Sequence, residues 1–183
     1  MIKEYMTNRL ILKTLDESHT KKVIDYYYRN KEFLEAWEPN KPPYFYDIGY
    51  QKNILTMEFN EIAARKMLRL WIFKKEDPKK IIGTLSFNNI IGGFLQCCQL
   101  GYKLDTTEVN KGYMTEAITK GIEIMFSEYN LHRIEAYIMP QNEPSIQVIH
   151  KLNFIKEGLA RKYIKINGNW EDHICYSLIK EDL

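Results

Sequence analysis

The residues best placed to do chemistry in this chain act through their main chain. Leu100, Tyr102 and Leu104 alternate with Gln99, Gly101 and Lys103, the period of a half-buried strand. A polar loop follows from Asp105 to Lys111, and at Gly112 the pattern turns helical. Strand, tight loop and helix start in that order collect unpaired N–H groups and the positive end of a helix dipole in one small volume. Phosphate oxygens bind well there. The segment Asn110, Lys111, Gly112, Tyr113, Met114 and Thr115 therefore reads as a phosphate cradle built from amides, with Lys111 adding charge. Two commoner cradles do not fit: no Gly-Lys-Ser/Thr ending is present, and the loop has one glycine where a dinucleotide fingerprint needs three.

Side-chain chemistry is sparser. Asn142 stands three places before Ser145, so its side-chain oxygen can accept the Ser145 N–H and start a helix. The titratable candidates near the later strands are Glu135, Asp172 and His173. His19, His132, His150 and His173 are scattered singly, and Cys97, Cys98 and Cys175 lack metal-ligand spacing, so no metal site is expected. The cysteines read as free thiols of a reducing compartment, and no Cys-His or Ser-His-Asp signature points to a covalent intermediate.

These residues need a scaffold, and the 183 residues suit a single domain, 1–183, whose 45% hydrophobic content and 13% aromatics supply a core. The net charge of +2, from 26 basic and 24 acidic residues, comes without blocks of like charge, which argues against nucleic acid or a membrane surface as main partner. The start MIKEYMTNRL has neither a signal-peptide core nor transit-peptide bias, so a cytoplasmic protein is expected.

Along the chain, Arg9 to Leu15 reads as a strand, and Asp16 as a cap before a helix buried through Val23, Ile24, Tyr27 and Tyr28. A short helical piece with Phe33, Leu34 and Trp37 precedes a surface loop of prolines and aromatics, Glu38 to Tyr46. Asp47 can cap a helix carrying Ile54, Leu55, Phe59, Ile62 and Ala63 and ending near Lys66. Met67–Phe73 and Ile81–Asn89 form a hairpin around the turn signal Asp77-Pro78, and Ile90 to Gln96 bends, with a bulge, into the strand of Gln99. After Gly112, Ala117, Ile118, Gly121, Ile122 and Met125 share a helical face. Ile134, Ala136 and Ile138 mark a further strand that stops at Pro140, Ser145 to Leu152 a helix, and Asn153–Lys165 with Trp170–Ile179 a last hairpin across Asn167-Gly168.

A run of motifs resembles the GNAT acyltransferases, and within them the ribosomal-protein N-terminal acetyltransferases of the RimJ/RimL type. Thr107 to Gly112 occupies the six places of their acetyl-CoA loop, Gln/Arg-x-x-Gly-x-Gly/Ala, with Thr107 for Gln/Arg and Asn110 for the first glycine. Asn is the non-glycine residue that best tolerates a left-handed backbone. Leu100-Gly-Tyr, Asn110-Lys-Gly-Tyr-Met-Thr-Glu-Ala, Leu131-His-Arg-Ile-Glu-Ala, Asn142-Glu-Pro-Ser, Lys151-Leu-Asn-Phe and Glu157-Gly come in the order and spacing of that family. Thr7-Asn-Arg-Leu-Ile-Leu resembles its first strand.

The resemblance implies a mixed α/β fold: a mostly antiparallel, seven-stranded sheet with helices on both faces, splayed at a central parallel pair. It implies acetyl-CoA as cofactor, its pantetheine held by backbone of Leu100, Gly101 and Tyr102, with Asn142, Ser145 and Lys151 also on the cofactor. Ser145 is the implied proton donor to the departing thiolate, with Asn142 beside it. An amine acceptor, a protein N-terminus or a small molecule, would meet Trp37, Tyr44, Tyr46, Gln99, Glu135 and Asp172. Many members carry Glu where this chain has Gln99, so the base is left among Glu135, Asp172, His173 and a chain of water. A coenzyme A sensor without turnover is the alternative reading, and monomer and homodimer both fit.

Overall fold

The computed structural model describes residues 2–183. Eight strands form one sheet in the order β1-β2-β3-β4-β5-β6-β8-β7, with β1 Glu4–Met6, β2 Leu10–Lys13, β3 Leu68–Lys74, β4 Asp77–Ile91, β5 Cys97–Leu104, β6 Arg133–Ile138, β7 Ile155–Ile166 and β8 Asn169–Ile179. The helices are α1 Thr20–Arg29, α2 Lys31–Glu35, α3 Ile48–Ala63, α4 Tyr113–Ser127 and α5 Glu143–Lys151. The eighth strand, absent from the expected seven, is β1, which pairs antiparallel with β2 over three residues. Three residues are too few to show a period.

Every neighbouring pair is antiparallel except β5 and β6, which the α4 crossover makes parallel. Register partners share a face, so Leu70, Leu85 and Tyr102 point one way while Trp71, Thr84 and Lys103 point the other. On the first face α4 lays down Ala117, Ile118, Ile122 and Met125, and α5 adds Ile149. On the second, α1 and α3 cover Trp71, Phe73 and Ile81 with Tyr26, Tyr27 and Leu55.

Several local expectations shift. The buried stripe of α1 runs through Val23, Tyr26 and Tyr27, which pack on Trp71 and Phe73, and Tyr28 is exposed; the helix starts only at Thr20, after a 3-10 turn that Asp16 caps. Asp47 precedes α3 without a side-chain cap bond, and that helix ends at Ala63. Asp77-Pro78 lies inside β4, and Lys75-Glu76 makes the turn, since a register shift at Phe73 and Lys74 moves the hairpin end forward. The bend before β5 is as expected, with a register shift between Asn88 and Ile91. So is the two-residue turn of the last hairpin, with Asn167 at φ 48° and Gly168 at φ 84°. Among the described residues no helix is long and apolar enough to cross a membrane.

Candidate active site

The sheet opens in its middle. Pairing of β5 with β6 runs through Cys97–Arg133, Cys98–Ile134 and Gln99–Glu135, and no rung follows. Beyond Gln99, β5 stays paired with β4, and beyond Glu135, β6 stays paired with β8. The two strands therefore diverge, and from Leu100 to Leu104 one edge of β5 faces a gap, with main-chain groups that lack a β6 partner.

The loop from β5 to α4 ends at the mouth of that gap, and both of its ends are tied down. Arg29 pairs with the buried Asp105, Asn30 Oδ1 accepts the Thr106 amide at 2.9 Å, and Asp105 Oδ1 accepts the Thr107 amide at 3.0 Å. At the far end Arg9 donates to the Lys111 carbonyl at 3.0 Å. Between them the backbone turns left-handed at Asn110, φ 61°, and again at Gly112, φ 78°, which begins α4. Alternation of this kind makes a nest of amides for an anion. Among the described residues no hydrogen bond claims the amides of Asn110 and of Gly112 through Thr115, whereas the turn at Val109–Asn110 closes back on the Lys111 amide. Lys111, expected to add charge there, turns back to the Thr107 carbonyl at 2.8 Å and Glu108 Oε2 at 3.0 Å. Its positive charge is balanced by Glu108.

On the α4 face of the gap stands the start of α5. Asn142 Oδ1 accepts the Ser145 amide at 3.3 Å, the cap expected from the spacing. Tyr102, on β5, donates its hydroxyl to the Ser145 carbonyl at 2.8 Å and so ties α5 to the strand across the opening. Burial pushes the Tyr102 hydroxyl pKa upward, so it stays a donor. Among the described residues the Ser145 hydroxyl has no hydrogen-bond partner. Lys151 is exposed at the other end of α5, about 9 Å along the axis from Ser145.

The opposite face of the fork is polar. Glu135 is the register partner of Gln99 at the last rung. Its Oε1 accepts Arg133 Nε at 2.8 Å and its Oε2 accepts the Tyr137 hydroxyl at 3.0 Å. Arg133 also grips Glu157 with both terminal nitrogens, at 2.7 and 2.5 Å, and Ser177 donates to the same carboxylate at 2.7 Å. The Arg133 and Ser177 donors hold Glu157 at a pKa of about 2. Gln99 accepts Asn89 Nδ2 at 2.9 Å, a bond that braces the irregular end of β4. Asp172 accepts the Lys162 amide at 2.8 Å in a bulge of the last hairpin, and His173 is buried with Nδ1 3.1 Å from the Glu171 carbonyl. Of the three titratable candidates, Glu135 alone sits on the rung where the strands part.

The proline-rich loop packs beside this face. Glu38 is buried between Lys41, at 2.9 Å, and Lys103 of β5; burial opposes its charge, but the two ammonium groups outweigh it and hold the carboxyl below its ordinary range. Lys103 and Lys41 both lie over the Tyr27 ring, 5.4 and 5.3 Å from its centroid. Sequence reading missed this cluster, because residues 65 apart meet only through the sheet. Asn167 of the last turn donates to the Glu35 carbonyl at 3.0 Å and closes a pocket of about 410 Å³ lined by Glu35, Glu38, Lys41, Tyr46 and Asn167. Trp37 and Tyr44 lie outside that lining; Tyr44 is exposed, its ring 5.0 Å from that of Tyr50.

Comparison with known proteins agrees with this architecture. Residues 9–155 match the model of the acetyltransferase (GNAT) domain. The chain is 34% identical over 178 residues to the [ribosomal protein uS5]-alanine N-acetyltransferase of Escherichia coli, covering 96% of this chain and 90% of that one. A crystal structure of the ribosomal-protein-S5-alanine acetyltransferase from Vibrio fischeri superposes with a TM-score of 0.92, at 34% identity over 98% of both chains. The solved structure of Mycobacterium smegmatis RimJ in complex with CoA-disulfide gives a TM-score of 0.89, at 25% identity over 95% of this chain and 83% of that one. A parallel pair that parts after three rungs, an amide nest at its mouth and these likenesses lead to one assignment: the chain belongs to the GNAT acetyltransferase family and is an acetyl-CoA-dependent N-acetyltransferase.

Proposed function

We propose that the chain acetylates the α-amine of a protein N-terminus, with a ribosomal protein that begins in alanine as the acceptor class. Sequence likeness to the alanine N-acetyltransferases supports the acceptor class. The observation that carries the site assignment is the fork, which has amides and a serine hydroxyl on one face and a carboxylate on the other.

Acetyl-CoA supplies the activated acetyl group when it is bound. The nest from Asn110 to Thr115 suits its diphosphate, since the amides of Gly112 through Thr115 are unused and the α4 dipole adds positive potential. The exposed edge of β5 offers main-chain groups to an extended arm that takes the place of the missing β6 partner. Ser145 donates a proton to the leaving sulfur from the α4 face. Glu135 receives the proton of the attacking amine from the other face, directly or through one water. Its carboxylate keeps lone pairs beyond those that meet Arg133 and Tyr137. Acid and base on opposite sides of the sheet keep the two proton transfers apart. Gln99, which cannot accept a proton at neutral pH, braces β4 instead.

The test is acetyl transfer to peptides that begin in Ala or Ser, against peptides whose only amine is a lysine, read by mass. We expect the Ala peptides to be modified and the lysine peptides not. Glu135→Gln should lower kcat/KM on the Ala peptide by about 100-fold with acetyl-CoA affinity kept. Binding without turnover on any amine would point to a coenzyme A sensor.

A further inference from the structure

Arg9 lies outside the β5–α4 loop, in the bend that leads into β2, yet its side chain reaches the nest. Its Nε donates to Glu116 Oε2 at 2.7 Å, its own amide donates to Glu116 Oε1 at 2.7 Å, and Thr7 adds its hydroxyl to Oε1 at 2.6 Å. Glu116 belongs to the first turn of α4, so these bonds fasten the start of the helix to the bend between β1 and β2. The guanidinium then covers the Tyr113 ring, 4.5 Å from its centroid, and one terminal nitrogen donates to the Lys111 carbonyl at 3.0 Å. A Cβ on Gly112 would lie 3.4 Å from the other terminal nitrogen.

The last contacts fix more than a loop position. No described peptide bond is cis, so the Lys111 carbonyl and the Gly112 N–H point in opposite directions from one rigid plane. With the carbonyl held back on Arg9, the Gly112 N–H must face the open side of the nest. A left-handed glycine has few steric restraints of its own, so without that hold the plane can rotate and turn a carbonyl toward the anion.

From this geometry we infer that Arg9 is a positioning residue for the cofactor: it sets the Lys111–Gly112 peptide plane so that the amide nest is formed before a diphosphate arrives. The inference rests on the nest being the diphosphate site. Arg9 acts from behind the loop and needs no contact with the ligand. An arginine suits the task because its planar fork bonds Glu116 and Lys111 at once and still lies flat on Tyr113. A lysine ammonium at that place reaches one of these partners only.

The test is calorimetric titration of the full chain with coenzyme A, dephospho-coenzyme A and pantetheine, for the unaltered protein and for Arg9→Lys, Arg9→Ala and the double variant Arg9→Ala/Glu116→Gln. The unaltered protein should bind dephospho-coenzyme A far more tightly than pantetheine; equal affinity would overturn the diphosphate site itself, and this inference with it. If that preference holds, each Arg9 variant should bind both diphosphate ligands about tenfold more weakly, with pantetheine affinity unchanged. The kinetic loss should fall on the KM for acetyl-CoA rather than on kcat. The double variant removes the carboxylate that Arg9→Ala leaves unpaired, and it should fold with near-normal thermal stability while still binding weakly. Full recovery of affinity in the double variant would mean that Arg9 only neutralises Glu116 and would overturn the inference, as would an equal loss for pantetheine or no loss at all.

Discussion

At the residue scale, the Ser145 hydroxyl, without a partner among the described residues, stands at the start of α5 beside the open strand edge and can donate outward. Replacing Ser145 with alanine leaves the Asn142 cap intact, because that bond uses the Ser145 amide. We therefore expect kcat to fall by about 100-fold in Ser145→Ala while acetyl-CoA affinity stays within about twofold, measured by thiol release beside calorimetry. Parallel losses in both would make the serine a binding contact. Gly121 is the opposite kind of position, needed for space alone. A Cβ there would stand 2.7 Å from Phe87 Cζ and 2.8 Å from Leu85 Cδ1, both packed in the core under α4. Gly121→Ala should lower stability by about 1–3 kcal/mol in urea unfolding, because helix and sheet must separate. Unchanged stability would mean that α4 shifts without strain.

At the element scale, the fork owes its shape to what holds each arm. β4 zips along β5 from Asn88 to Gly83, β8 zips along β6 to Ile138, and α5 is linked to β5 by one hydroxyl, that of Tyr102. Tyr102→Phe keeps the ring and removes the link, leaving the Ser145 carbonyl without that donor. A stability loss of about 1 kcal/mol is expected, with a larger effect on acetyl transfer than on melting, since Ser145 itself is repositioned. Equal activity in Tyr102→Phe would show that the cap at Asn142 positions α5 unaided. The elements that make up the fork were legible in the sequence because their signals are local: alternation from Gln99 to Leu104, the apolar face from Ala117 to Met125, the Asn142–Ser145 spacing and the Asn167-Gly168 turn. What closes them around a site was not legible. Arg9 and Lys111 meet across 102 positions, Tyr102 and Ser145 across 43, and Glu38 and Lys103 on neighbouring elements of the second face. No short-range pattern records such pairs. The rotation of α1 that buries Tyr26 rather than Tyr28 was missed for a different reason: both fit an apolar stripe, and packing on Trp71 of β3 decides between them.

At the scale of the whole molecule, the two faces of the fork depend on ionised carboxylates. Asp105, Glu108 and Glu116 surround the nest, and each is held below its ordinary range although burial works the other way. Asp105 is held by Thr107 and Arg29, Glu108 by Lys111 and Lys74, and Glu116 by Thr7 and Arg9. Glu38 and Glu157 are lowered likewise on the other face, the latter to about 2. A carboxylate whose folded pKa is depressed binds fewer protons than its unfolded counterpart. Stability therefore rises with pH through that interval, is complete above the unfolded value of about 4.5, and is lost as pH falls through the folded one. Denaturant midpoints should thus be flat from pH 7 to 5 and fall steeply between about 4.5 and 2. Glu157→Gln isolates one contribution. Its side chain is 41% exposed, so water screens the pair, and a loss of about 1 kcal/mol at pH 7 is expected, well under the full linkage. That difference from the unaltered protein should shrink as pH drops below about 4.5, to be lost only below the folded value of about 2, where both carry a neutral side chain at this position. A gap that stays constant across the whole range would mean that Glu157 contributes shape rather than charge to the Arg133 cluster.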